Sequence, residues 1–186
     1  ISTTNDINDQ NQLYVMAKDA SELLDVESPT VIADTGYYNG TEIKNCVDDG
    51  MSLYIKKAKA NNKTKDNEFR KEKFIYDPKQ DAYVCPARNK LFFFENTSKN
   101  GIKYRRYKCT DCNSCKYKEK CTTSSSGRTI QRWEHEDVLE VVYLETWNNN
   151  DIYKQRRCIV EHPFGTVKRT LGYSYFLRRQ KENVDA

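Results

Sequence analysis

The stretch Val31-Ile32-Ala33-Asp34-Thr35-Gly36-Tyr37-Tyr38-Asn39-Gly40-Thr41-Glu42-Ile43-Lys44-Asn45-Cys46-Val47-Asp48-Asp49-Gly50-Met51-Ser52-Leu53-Tyr54-Ile55 decides the fold. Its first three residues are an apolar run introduced by Pro29 and ended by a carboxylate, with Thr35-Gly36 next, where the chain can turn. This predicts a buried strand with Asp34 at its C-terminal tip. Asn39 and Glu42 resemble a capping box, Ile43, Cys46 and Val47 share one face, and Gly50 closes the helix. Ser52-Leu53-Tyr54-Ile55 returns as a second strand. A strand–helix–strand unit is normally parallel and right-handed, and ligand chemistry in such sheets gathers at the carboxyl ends of the strands. Asp34 therefore stands where a functional group is expected, although an Asp at a strand end also simply starts turns.

Upstream, Leu13, Met16, Ala17, Ala20, Leu23 and Leu24 recur at helical spacing, so a helix packed on this face precedes the unit. Downstream, residues 56–73 hold eight Lys or Arg and three acids, the composition of an exposed linker. Phe74-Ile75-Tyr76 and Ala82-Tyr83-Val84-Cys85 read as one hairpin around Asp77-Pro78. Phe92-Phe93-Phe94 and residues 104–107 read as a second around Asn100-Gly101. Residues 122–127 form a Ser-rich loop. Val138, Leu139, Val142 and Tyr143 restore a helical period that breaks at Asn148-Asn149-Asn150, after which Asp151 can cap the next helix. The chain is thus read as α/β in three parts: 1–58, a β-rich, Cys-rich insertion over 59–130, and a helical return over 131–186.

There are seven Cys. Cys109, Cys112 and Cys115 form two overlapping CxxC steps, followed by Cys121, a spacing at which thiolates can turn around one tetrahedral Zn²⁺. Cys85, before Pro86, is a plausible distant ligand. Zinc takes four ligands and five candidates are present. Disulfides, an iron–sulfur cluster or unliganded thiols compete with this reading. The odd count without a leader peptide favours a reducing cytosol. Cys46 and Cys158 sit among apolar helical positions and are expected to be small buried residues.

Near the C-terminus, Arg157, Glu161 and Lys168 follow at spacings of four and seven. At 3.6 residues per turn they fall within roughly 40° around the axis, a polar stripe, with Ile159 and Val160 turned toward a core. Pro163 is expected to kink the helix just after Glu161. The plain reading of the stripe is an Arg–Glu surface pair at i, i+4, which contributes only about 0.2–0.5 kcal/mol.

Hydrophobic residues make up 37% of the chain and charged residues 31%, and 13 Tyr with 7 Phe supply core material that a disordered chain lacks. The first 50 residues hold ten acids against two Lys, so the remainder is strongly basic, which suits a polyanionic partner as well as an ordinary solvated surface. The longest apolar run near the middle, Leu91-Phe92-Phe93-Phe94, is far short of the roughly 20 residues of a membrane span. The opening Ile-Ser-Thr-Thr-Asn lacks Met and a leader, so Ile1 reads as a cut point and the protein as cytoplasmic.

Taken together, Val-Ile-Ala-Asp34-Thr-Gly-Tyr-Tyr, the cysteine cluster, Arg-Trp-Glu-His-Glu and Arg157-x3-Glu161-His-Pro-Phe-Gly-Thr-Val-Lys168-Arg resemble bacterial insertion-sequence transposases of the DDE type. The resemblance covers essentially the whole chain. It implies a ribonuclease-H-like mixed sheet flanked by helices, with Asp34 and Glu161 as the second and third catalytic carboxylates. The first Asp lies upstream of the segment with which this sequence begins, so the chain alone is expected to be inactive. The family often has a Tyr three residues before the Arg; here that position is Lys154, and the Tyr is Tyr153. Of the cysteines, Cys85, Cys112, Cys115 and Cys121 match the family and Cys109 looks like an extra.

The chemistry so implied is hydrolytic nicking at a transposon end, then attack of the freed 3′-hydroxyl on target DNA. Carboxylates suit it because hard oxygens hold two Mg²⁺ (or Mn²⁺) about 3.5–4 Å apart. Arg157 and Lys168 are expected to contact DNA phosphates, the first as a bidentate fork, the second as a point charge. Lys103, Arg105, Arg106 and Lys108 alternate with Tyr104 and Tyr107, which suits a nucleic-acid surface and equally an exposed hairpin. The resemblance also implies a nucleoid-associated protein, a homodimer on DNA and no membrane partner. Two other readings stand beside it: a non-catalytic, zinc-dependent DNA- or protein-binding remnant, and a ribonuclease-H-like nuclease without strand transfer.

Overall fold

The computed structural model describes residues 9–57 and 67–161, together with Thr166 and Arg169. In chain order the main elements are α1 (Leu13–Leu24), β1 (Thr30–Ala33), α2 (Gly40–Asp48), β2 (Ser52–Ile55), β3 (Ile75–Asp77), β4 (Ala82–Val84), β5 (Lys90–Lys99), β6 (Ile102–Cys109), α3 (Lys118–Cys121), β7 (Thr129–Trp133), α4 (Glu136–Asn148) and α5 (Asn150–Arg156). The last runs on into a π-helical turn, Arg157–Glu161. The chain divides into two compact units, Ile1–Ala58 with Asp137–Ala186, and Lys59–Glu136.

In the first unit β1 and β2 pair in parallel, Val31 opposite Leu53 and Ala33 opposite Ile55. The Asn39 side chain accepts the Thr41 N–H at 3.0 Å and so starts the connecting helix α2. Glu42 is used differently from the expected capping box: its Oε2 accepts the backbone N–H of Tyr14 at 3.0 Å and anchors α1. Leu13, Ala17, Ala33, Ile43, Cys46, Leu53, Ile55 and Val142 form the core. The apolar face of α1 is only partly covered. Leu13 and Ala17 are buried, whereas Met16, Leu23 and Leu24 are 49%, 86% and 69% exposed.

α4 and α5 are separated by the single residue Asn149, which precedes α5; Asp151 lies inside the helix and exposed, so it is not the cap. The buried Thr146 hydroxyl on α4 accepts the Ile55 N–H at 3.1 Å and donates to the Val142 carbonyl at 2.7 Å, locking this helix to the end of β2. Cys46 is fully buried as expected, but Cys158 is exposed.

The second unit is an antiparallel sheet in the order β3-β4-β5-β6-β7. Both expected hairpins are present. Asn100 and Gly101 take φ of 53° and 78°, the conformation a tight hairpin turn with right-handed strand twist needs. β7 was not foreseen. Its Arg132 is buried, with the guanidinium 3.9 Å from the centre of the Tyr76 ring, so a cation occupies what is otherwise a core position. The core gathers Phe69, Phe74, Tyr83, Leu91, Tyr107 and Ile130 with four cysteines. Parallel and antiparallel pairing thus both occur, in separate sheets among the described residues. No helix among those residues is long and apolar enough to cross a membrane.

Candidate active site and thiol cavity

Asp34 directly follows β1, in extended conformation, and its Oδ1 accepts hydrogen bonds from the Thr35 backbone N–H and, at 3.1 Å, from the Thr35 hydroxyl. Its Oδ2 lies 3.0 Å from Arg156 Nη1. Partial burial pushes the Asp34 carboxyl up, but the Thr35 hydrogen bonds and the Arg156 charge outweigh it and hold the group below the usual carboxylate range. The side chain is 56% exposed, so this is an ionised carboxylate open to a ligand. Beside it, Lys56 follows the last residue of β2. Its Nζ donates to Asn150 Oδ1 at 3.0 Å and stands 4.5 Å from the centre of the Tyr153 ring. The Arg156 guanidinium is 5.4 Å from that same buried ring. Tyr153 therefore seats two cations beside the carboxyl ends of β1 and β2.

Arg157, the arginine expected at the site from its spacing to Glu161, is exposed; it is the neighbouring Arg156 that meets Asp34. The segment Arg157–Glu161 is wound as a π turn, so the stripe drawn at 3.6 residues per turn does not describe it. Glu161 is placed by its backbone, on the helix that carries Arg156, and its side chain lies outside the described residues. Lys168 and the expected kink at Pro163 also lie outside them. Arg156, Lys56 and Tyr153 are the additions the structure makes. One signal for them was available, since Tyr153 stands three residues before Arg156.

In the second unit Cys85, Cys109, Cys112, Cys115 and Cys121 line one small cavity with Phe69, Phe74 and Leu91. Backbone N–H groups point at two of the sulfurs, Asn89 at Cys85 Sγ and Arg128 at Cys112 Sγ, each at 3.3 Å. Gly127, at φ +91°, lets the loop pass the thiols: a Cβ there would meet Cys112 Cβ at 3.0 Å and the Cys109 carbonyl at 3.2 Å. Burial, with Cys112 alongside, pushes the Cys109 thiol up to about 12, and burial also raises Cys121. Among the described residues no three His, Cys, Asp or Glu side chains are drawn closely enough together to hold a metal ion. The thiols share a cavity without forming a finished coordination sphere. The cavity nonetheless gathers five sulfurs, with backbone amide donors directed at two of them.

No curated protein and no solved structure matches the chain. A family model described as "Transposase DDE domain" matches residues 84–186, a range that contains Glu161 and all five clustered cysteines and begins after Asp34. That match spans more than half of the sequence, and the chain belongs to the family of transposases with a DDE domain.

Proposed function

We propose that this chain serves metal-dependent DNA cleavage and strand transfer at transposon ends, with Asp34 and Glu161 as two of the carboxylates that hold the ions. Transposases act on DNA, and the family membership supports that general activity. The observation that carries the finer reading is the Asp34–Arg156 ion pair, which ties the tip of β1 to the helix whose next turn holds the Glu161 backbone. Mg²⁺ or Mn²⁺, when bound, would polarise the phosphodiester and ease deprotonation of the attacking hydroxyl. The protein's own part is positioning. Asp34 offers oxygens that are already ionised, Arg156 and Thr35 fix its orientation, and Arg157 and Lys168 take DNA phosphates.

On this reading the two arginines share the part of the family signature's single one: Arg156 has its spacing to Tyr153 and holds Asp34, while Arg157 has its spacing to Glu161 and takes phosphate. One extra residue before Glu161 is taken up in the π turn. The first unit would be the ribonuclease-H-like core, and residues 59–130 its insertion. The thiol cavity supports a structural Zn²⁺ on Cys85, Cys112, Cys115 and Cys121, with Cys109 as alternate, where the ion would staple β4 to the β6–α3 connection.

Iron-directed backbone cleavage tests the shared ion. Fe²⁺ with ascorbate and peroxide, loaded in place of Mg²⁺, is expected to cut the chain near both residue 34 and residue 161. Both cuts are expected to vanish on adding excess Mg²⁺ and in Asp34→Asn. Cutting at only one of the two places, or cutting indifferent to Asp34→Asn, would sink the proposal.

A further inference from the structure

Residues paired across an antiparallel ladder share a face of the sheet. Leu91, Tyr107 and Ile130 therefore define the core face of the second unit, while Phe92, opposite Lys108, belongs to the other. The pairing register shifts between Phe93 and Glu95, inserting Phe94 as an extra residue in β5. The Arg106 guanidinium is 5.1 Å and Lys108 Nζ 6.0 Å from the centre of the Phe94 ring, which sets that ring on the outer face as well. Phe92 and Phe94 are 49% and 42% exposed. The outer face thus presents two phenyl rings flanked by Arg106 and Lys108, with exposed Gln131 beyond. Glu95 pairs with Arg106 and tempers that charge.

The surrounding charge identifies the partner. Residues 59–136 carry 19 Lys or Arg against 10 Asp or Glu, a surplus that attracts a polyanion rather than an apolar protein surface. Phosphates alone need no rings. Exposed phenyl faces between cations suit unpaired bases, whose π-faces a duplex keeps stacked and out of reach. We infer that the Phe92–Phe94 face of this sheet binds single-stranded DNA, the rings stacking on unpaired bases while Arg106 and Lys108 take phosphates. The inference rests on DNA being the substrate. It adds to the carboxylate site a surface for strands that are unpaired during cutting or joining.

Fluorescence anisotropy of the full chain with a labelled oligothymidylate and with a duplex of equal length, without added divalent ion, tests it. The single strand is expected to bind, more weakly as salt rises. Replacing both rings by Leu (F92L/F94L) is expected to weaken the single strand about tenfold or more and leave the duplex unchanged. F92Y/F94Y, which keeps both rings, is expected to bind the single strand like the parent. No binding of the single strand, equal loss for both DNAs, or no loss in the Leu variant overturns the inference. So does a Tyr variant that keeps its fold by circular dichroism yet binds no better than the Leu variant. Because no divalent ion is present, failure here leaves the carboxylate reading standing, and failure of the iron-directed cuts leaves this one.

Discussion

Arg156 Nη1 and Asp34 Oδ2 stand 3.0 Å apart, with the arginine side chain only 16% exposed against 56% for the aspartate. The sheltered partner is the cation, held over Tyr153, and the open partner is the carboxylate. An ion pair of this polarity presents a negative group to solvent at a fixed place.

Arg156→Gln keeps much of the packing on Tyr153 and removes the charge. Asp34 titrates below the usual carboxylate range in the folded chain, so its contribution to stability is present above the unfolded pKa and is lost as pH falls through the folded one. The variant is expected to shift the Asp34 carboxyl resonance toward a higher midpoint in an NMR titration. Near neutral pH it should cost about 0.5 kcal/mol, the scale of a solvent-screened pair. An unchanged midpoint would show that Thr35 alone sets this group.

Much of the first unit was legible because its signals are local. Asn39 caps a helix, Gly50 ends it, and the apolar runs on either side pair in parallel across it, as such units normally do. Arg156 was not legible, because two adjacent arginines are told apart only by the winding of the helix, and the π turn after it breaks the assumed period. β7 was hidden for another reason. Arg132 sits at a buried position made tolerable by the Tyr76 face and the Tyr83 hydroxyl, partners distant in sequence. The cysteine spacing suggested a common site. Cys85, already a candidate ligand in the sequence, lies in the cavity with the other four; that Gly127 opens room beside Cys112 follows only from the folded chain.

The thiol cavity makes a counting prediction. If Zn²⁺ holds four of its five cysteines, native protein should contain about one zinc per chain. It should then show rapid reaction at the exposed Cys158, while the buried Cys46, whose thiol burial pushes up to about 11, stays inert. Chelation should release the cavity thiols and lower the melting temperature. Gly127→Ala, forced against Cys112 at φ +91°, should cost about 2 kcal/mol and weaken zinc retention. Zinc-free protein with all cavity thiols promptly reactive would remove the ion from the account.

Asp81 is a second test of polar geometry. Its Oδ1 accepts the hydroxyls of Tyr76 and Tyr107, each at 2.7 Å, and its Oδ2 pairs with Arg105. Burial pushes this carboxyl up, but the two tyrosine hydrogen bonds and the Arg105 and Arg132 charges hold it below its usual range. Its stabilisation therefore persists above the unfolded pKa and disappears as pH falls through the folded one. Tyr107→Phe deletes one donor at a fully buried ring; with Asp81 38% exposed and still held by Tyr76 and Arg105, it should cost about 0.5–1.5 kcal/mol at neutral pH, with a smaller difference from the parent in acid. Equal costs in acid and at neutrality, read from denaturant melts, would mean that the ring's packing and not its hydroxyl is what matters.

Thr146 links the helical return to the strand that ends beside the site. Its hydroxyl is the acceptor for the buried Ile55 N–H, and Ile55 is followed by Lys56, the cation over Tyr153. Thr146→Val preserves shape but leaves that N–H without its acceptor, a cost of about 1–3 kcal/mol. Thr146→Ser keeps the acceptor and should cost much less. Hydrogen exchange at the Ile55 amide reads the local effect directly: exchange should accelerate at least tenfold in the Val variant and stay near the parent rate in the Ser variant. Since Lys56 and Asp34 end the paired strands, the Val variant should also loosen the Asp34–Arg156 pair and raise the Asp34 midpoint. Fast exchange in both variants would assign the coupling between α4 and β2 to methyl packing and not to this hydrogen bond.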